Sequence, residues 1–213
     1  MNSVRTSGLK QVMLIALLAT GCGTAAPIEV MRRGGADEVL ALSPVSTSFS
    51  IEAAGAHIVL TDIDPDRLES DEAVSGQVLH VGFLWNPMPG RTAIDPTSTN
   101  ISLRLLILSE GEAGLYGGGG FASVDGSPES GSMSLDIEGS DLRLIAHTKG
   151  FVDRLTPAEL LGKFSVVRNE AQARRIRRAA TQRVTNALGA IQWVDAGTGL
   201  GHDIELAVSD AHD

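Results

Sequence analysis

The stretch that decides the fold is Gln77-Val78-Leu79-His80-Val81-Gly82-Phe83-Leu84-Trp85. Leu79, Val81, Phe83 and Trp85 share one face of an extended chain; Val78, His80, Gly82 and Leu84 share the other. Side chains in a strand alternate with a period of two. Both faces are largely apolar, so the segment predicts a strand covered on two sides. Asn86-Pro87-Met88-Pro89-Gly90 stops it.

The pattern continues on either side. Ala56 to Thr61 predicts a strand that ends in the acidic run beginning at Asp62. Ile101 to Leu108 predicts another, with Ile101, Leu103, Leu105 and Ile107 on one face. Met133, Leu135 and Ile137 alternate with polar residues, Gly139-Ser140 reads as a turn, and Leu142 and Leu144 resume the alternation. Together they predict a hairpin with one wet face. Gly117 to Gly120, between Tyr116 and Phe121, reads as a hairpin loop. Ile28 to Met31 or Val39 to Leu42 would supply a short edge element. Ile191 to Val194 and Asp203 to Val208 are short strand candidates.

Helical signals come late. Thr156-Pro157-Ala158-Glu159 carries a cap, a proline and a capping-box acid, so it predicts a single helical turn. Asn169 and Gln172 cap a longer segment, Ala171 to Leu188, about 27 Å long at 1.5 Å per residue. Ile176, Ala180 and Val184 form its narrow apolar stripe, and Gly189 ends it. The predicted class is mainly β (α+β): an antiparallel β-sandwich or curled sheet with one long helix in the C-terminal region. The expected organisation is a leader over 1–21, a tether with a possible edge element over 22–49, and a single domain over 50–213.

The leader carries Arg5 and Lys10 without an acid, then the apolar run Val12 to Ala19, then Thr20-Gly21-Cys22. That run is shorter than the roughly 20 residues needed to span a hydrocarbon core, so it reads as a targeting segment. Ala19-Thr20-Gly21-Cys22, behind Leu18, resembles the lipobox of bacterial lipoproteins. The resemblance covers residues 1–22 only. It implies cleavage before Cys22, diacylglycerol on its thiol and acylation of the new amino terminus. The expected location is therefore the bacterial cell envelope, with the membrane as a partner through the N-terminal lipid. Gly23, where an acid would signal inner-membrane retention, favours the outer membrane if there are two.

Composition narrows the partners. The whole chain has 17 basic and 26 acidic side chains, a formal net charge of −9. Loss of Arg5 and Lys10 makes the mature chain more acidic still. Nucleic acid is not an expected partner, because binding it requires cations to displace phosphate counterions. Cys22 is the sole cysteine, so no intramolecular disulfide forms.

Candidate sites are few. Arg174, Arg175, Arg177 and Arg178, with Arg183 beyond them, surround the helix stripe. Guanidinium groups suit bidentate contact with an acidic envelope protein or an anionic cell-wall polymer; the alternative is that they cover the acidic body of their own domain. Tyr116 and Phe121 would frame a groove across the glycine run. Asp62, Asp64 and Asp66 are weak cation ligands, because the EF-hand positions six and twelve, counted from Asp62, hold Arg67 and Ala73. His57, His80, His147, His202 and His212 show no paired metal-ligand spacing, and no G-x-S-x-G elbow is present. No catalytic residue, metal or cofactor is expected. The expected function is a non-catalytic envelope module for binding, scaffolding or assembly; the alternative is a membrane-tethered hydrolase.

Overall fold

The computed structural model describes residues 28–34, 38–52, 55–85 and 99–189. The strands are β1 (Ile28–Arg32), β2 (Val39–Leu42), β3 (Ser46–Glu52), β4 (Gly55–Thr61), β5 (Gly76–Phe83), β6 (Ile101–Ser109), β7 (Glu112–Ser127), β8 (Ser132–His147) and β9 (Ala158–Val167). The helices are α1 (Pro65–Glu69) and α2 (Glu170–Leu188). Among the described residues the nine strands join one sheet, in the order β2-β1-β9-β8-β7-β6-β5-β4-β3, and each pairing between them is antiparallel.

The two edges of this sheet are consecutive in the chain. β2 and β3 are separated only by Ser43-Pro44-Val45, so the sheet must curl until its edges meet. Phe49 of β3 forms a parallel bridge with Arg168 just beyond β9, and the Asn169 amide donates to the Phe49 carbonyl at 3.1 Å. β2 and β3 act as one strand interrupted at Pro44, and the sheet becomes a barrel-like ring. Closure of this kind leaves no long edge open to pairing with another chain.

Alternation sorts the side chains between inside and outside. Ile58, Leu60, Leu79, Val81, Phe83, Leu103, Leu105, Leu135 and Leu160 belong to the interior cluster. The opposite residues of the same strands, Val59, Val78, Leu106 and Leu108, join Ala173, Ile176, Ala180 and Val184 of α2 in a second cluster outside the ring. This explains the double apolar register of β5: one face fills the barrel and the other lies under a helix. The small Ala173 and Ala180 let α2 lie close to the wall, and each fully buried Ile or Val contributes about 1.5–3 kcal/mol.

The helix from Ala171 to Leu188 forms as expected. Asn169 caps it by accepting from the Gln172 amide at 3.0 Å, and Gly189, at φ 68°, closes it with a bond to the Thr185 carbonyl. Ile28–Arg32 and Val39–Leu42 are both strands and pair with each other. The strand candidates at 191–194 and 203–208 lie outside the described residues.

Three local expectations are corrected. The glycine run is not a loop: Gly117 to Gly120 lie within β7, where backbones approach closely. A Cβ on Gly118 would collide with the Asp141 carbonyl oxygen, and one on Gly120 with that of Gly139. Gly139-Ser140 is not a turn but an irregularity within β8, where the β8–β9 register shifts between Ile137 and Leu142. There the Ser140 hydroxyl stands in for the broken ladder, donating to the Leu160 carbonyl at 2.9 Å and accepting from its amide at 2.6 Å. Finally, Ala158 and Glu159 begin β9, not a helix. Ala158, Leu160, Phe164 and Val166 all reach the interior; their period of two outweighs the local cap signal.

Candidate functional site

The arginine run is where α2 meets the rest of the molecule. Arg174 pairs with Glu170 one turn away at 2.9 Å. Arg175 reaches α1, binding Glu69 at 2.7 Å and also Asp66. This hydrogen bond from Arg175 holds the Glu69 carboxyl below its ordinary range. The Glu69 and Asp66 carboxylates in turn raise the Arg175 guanidinium above its own. Arg177 turns inward and donates to Glu52 at 2.5 Å. Arg183 gathers carbonyls of α1 and of the segment after it, among them Leu68 at 3.0 Å and Glu72 at 2.8 Å. Arg178 differs: it is exposed, lies on a cleft, and holds no ion pair among the described residues.

The aspartates after β4 do not converge. Asp62 accepts from the Gln77 amide at 2.5 Å, tying the end of β4 to the start of β5. Asp64 caps α1, accepting from Asp66 and Arg67 amides at 2.8 and 3.4 Å. Asp66 belongs to Arg175. Among the described residues no group of three or more His, Cys, Asp or Glu side chains is arranged to hold a metal ion.

Tyr116 and Phe121 do not frame one groove. Five positions apart along β7, they point to opposite faces of the sheet. Tyr116 is in the interior cluster. Its hydroxyl donates to Asp153 at 2.8 Å, and its ring meets Phe151 edge-on at 6.4 Å. Burial, then the Asp153 carboxylate, raises the Tyr116 pKa. Burial opposes ionisation of Asp153, but hydrogen bonds from Thr156, Tyr116 and two backbone amides outweigh it and hold the carboxyl low. Cys22 lies outside the described residues.

The most unusual chemistry involves residues that sequence reasoning did not single out. His57 on β4 and His80 on β5 are 2 % and 1 % exposed. Their rings stack at 5.4 Å and 9°, with His57 Nδ1 and His80 Nε2 at 3.2 Å, sharing one proton. His57 Nε2 faces Glu52 of β3 at 3.7 Å, and Glu52 accepts from Arg177 of α2. A polar chain therefore runs from the helix through three adjacent strands. Burial, then the charges of Arg177, His57 and Arg104, pushes the His80 pKa well below the usual imidazole value. Beside this chain, the buried Ser48 and Ser50 hydroxyls of β3 have no hydrogen-bond partner among the described residues. The one sequence signal for the cluster was a histidine inside each of two otherwise apolar strands.

Among the described residues the larger concave regions lie at two places. A cleft of about 510 Å³ lies between α1, α2 and the β6–β7 turn. Leu68, Val74, Leu108, Ala113 and Ala179 make its floor, and Arg178, Gln182 and Asn186 are among its polar lining. Glu110 at φ 51° and Gly111 at φ 90° make the tight turn beside it. A second, more apolar pocket of about 400 Å³ lies at the barrel mouth, lined by residues that include Leu40, Ile107, Tyr116, Phe151 and Leu155.

Comparison with family models, with curated proteins and with solved structures finds no match for this chain. Among the described residues no helix is long and apolar enough to cross a membrane.

Proposed function

We propose that this chain is a lipid-anchored protein of the bacterial cell envelope whose barrel domain is a non-catalytic binding module. The cleft beside α2 is its ligand site. The observation that carries this reading is the makeup of that cleft: about 510 Å³ with an apolar floor and a polar rim that includes Arg178. Small-ligand and side-chain sites commonly have this size and this combination of lining. Arg174, Arg175, Arg177 and Arg183 are spent on the protein's own groups, which leaves Arg178 to meet a ligand. The partner it suits is an envelope protein presenting an apolar side chain next to a carboxylate; an anionic wall polymer satisfies only the charge. The anchor is the acylated Cys22, read from the lipobox resemblance, and the outer membrane is the favoured location where the envelope has two membranes.

A tethered hydrolase has one observation in its favour, the alignment of Glu52, His57 and His80. Against it, both imidazoles are buried beyond substrate reach, and the same carboxylate is held by Arg177.

The test is site-specific photo-crosslinking in envelopes, with the probe at Gln182 on the cleft and, as control, at the exposed Val167, which is not part of the cleft lining. A discrete adduct at Gln182 that Arg178→Glu removes and Val167 does not form supports the reading. Equal labelling at both positions, or none, overturns it. Metabolic labelling with a fatty-acid analogue tests the anchor separately: Cys22→Ser should abolish the label, and a still-labelled product refutes lipidation at that residue.

A further inference from the structure

The pocket at the barrel mouth differs in chemistry from the cleft beside α2. Its walls come from the start of β2, the end of β6, Tyr116 of β7 and the segment 148–157 that joins β8 to β9. Leu40, Ile107, Tyr116, Phe151 and Leu155 make the lining mainly apolar, around a volume of about 400 Å³. Small-molecule sites share this character: a concave, mostly apolar wall enclosing about 300–1,000 Å³, with a few polar groups that set orientation.

The wall is braced by the protein's own bonds. Asp153 accepts from the Tyr116 hydroxyl at 2.8 Å and from the Leu155 and Thr156 amides at 3.0 and 3.1 Å. Thr148 and Gly150 are tied to Glu112. The Phe151 ring lies over Gly114, where a Cβ would overlap it, and meets Tyr116 edge-on. A site held in shape in advance gives up little order when it is filled. Its lip carries the exposed apolar side chains Val39 and Val152, and covering such surface favours an apolar guest.

The charges select that guest further. Asp153 is spent on its three donors. Glu38 faces Arg32 at 3.8 Å. Arg154 is exposed at the rim, and its guanidinium holds no hydrogen bond or ion pair among the described residues. A guanidinium matches a carboxylate, which it can bind through two parallel hydrogen bonds. Glu38, in the same lining, repels a second negative group. We propose that this pocket binds a free single-chain monocarboxylate, with the hydrocarbon chain among the apolar residues and the carboxylate on Arg154. A membrane surface fits less well: the wall is concave, and the chain's formal net charge of −9 opposes an anionic bilayer. A lone monoanion brings only one charge into that acidic field. The site stands independently of the cleft beside α2 and of the anchor at Cys22.

The experiment is photolabelling of the purified full chain, in the presence of phosphatidylcholine nanodiscs, with decanoate carrying a diazirine at the end of its chain. Peptide mass spectrometry should place a saturable mark within 148–157, β2 or the end of β6, and excess decanoate should remove it. At equal free concentration, decanol and decanedioate should compete several-fold less well. Arg154→Gln should weaken labelling about tenfold at low probe concentration, the scale of a hydrogen bond to a charged group. Val152→Asp, which sets a carboxylate on the lip, should weaken it too. Both positions are exposed, so melting temperatures should match the wild type. Arg143→Gln, an exposed arginine outside the lining, should label as the wild type does. Marks spread over the chain, marks confined to the cleft beside α2, or undiminished labelling in Arg154→Gln each overturn the proposal. So does equal competition by decanol, which would remove the carboxylate from the recognition. Should a variant melt early, the wild-type competition series decides alone.

Discussion

The two faces of the barrel wall are buried by different means. The inner face is filled by branched apolar and aromatic side chains such as Leu103, Leu105, Leu135 and Phe164. The outer face under α2 combines an apolar patch, Val59, Val78 and Leu106, with a buried polar chain from Arg177 to His80. The inner face depends mainly on excluding water, which varies little with pH; its titratable contact is the bond of Tyr116 to Asp153. The outer face depends in addition on which groups carry protons. Burial of similar completeness therefore rests on largely apolar packing at one face and on apolar packing joined to a titratable polar chain at the other.

The strongest way to break the inner face is Leu103→Ala. It should cost about 2–5 kcal/mol, the range for a large-to-small change in a packed core. Thermal unfolding should show one lowered transition, with helix and barrel lost together. A smaller and more local effect is expected at the outer face. Glu52→Gln leaves Arg177 with a weaker partner in a mostly buried place, at a cost of about 1–3 kcal/mol on the scale of hydrogen bonds to charged groups. Hydrogen exchange should place that loss in α2 more than in β5 and β6; a uniform loss would erase the distinction between the faces.

Titration sharpens the same comparison. Between pH 7.5 and 5.5 the wild type should lose stability through His80, whose folded pKa is depressed. Denaturant midpoints read at several pH values should fall with acid in the wild type and stay nearly level over that window in His80→Gln. A second decline below about pH 4.5 should remain in both proteins. There the carboxyls of Asp153, Glu69 and Glu170, all held low by their partners, take up protons in the unfolded chain first. The smallest effect belongs to Arg174→Gln. Its pair with Glu170 is on the open surface of α2, where such pairs contribute little, so the melting temperature should be unchanged within error. A large drop would mean that the outer surface of the helix carries structure too.

What could be read in the sequence divides along the same line. β4, β5, β6 and α2 follow from periodicity and capping, because each is decided within its own residues. β7 and β8 run longer than their local pattern predicts, since Gly117 to Gly120 and Gly139-Ser140 are turn formers by local preference. In the fold they sit where two backbones pass too closely for a side chain. β9 was obscured by the good cap at Thr156; that hydroxyl instead accepts from the Leu144 amide at 3.0 Å. The arginine run was visible but its division was not: neighbouring positions on one helix meet α1, β3 or open solvent according to what the barrel places beside them.

By itself, then, the sequence determined a mainly β domain with one late helix and an acidic composition, because alternation, caps and composition are local or additive properties. Only the tertiary structure decided that the sheet closes through β2 and β3, that Arg178 opens onto a cleft, and that His57 and His80 stack beneath α2. Each of these depends on groups far apart in the chain being brought within a few ångströms. The chemistry of a buried histidine is set by its neighbours in space, and nothing in the order of residues names them.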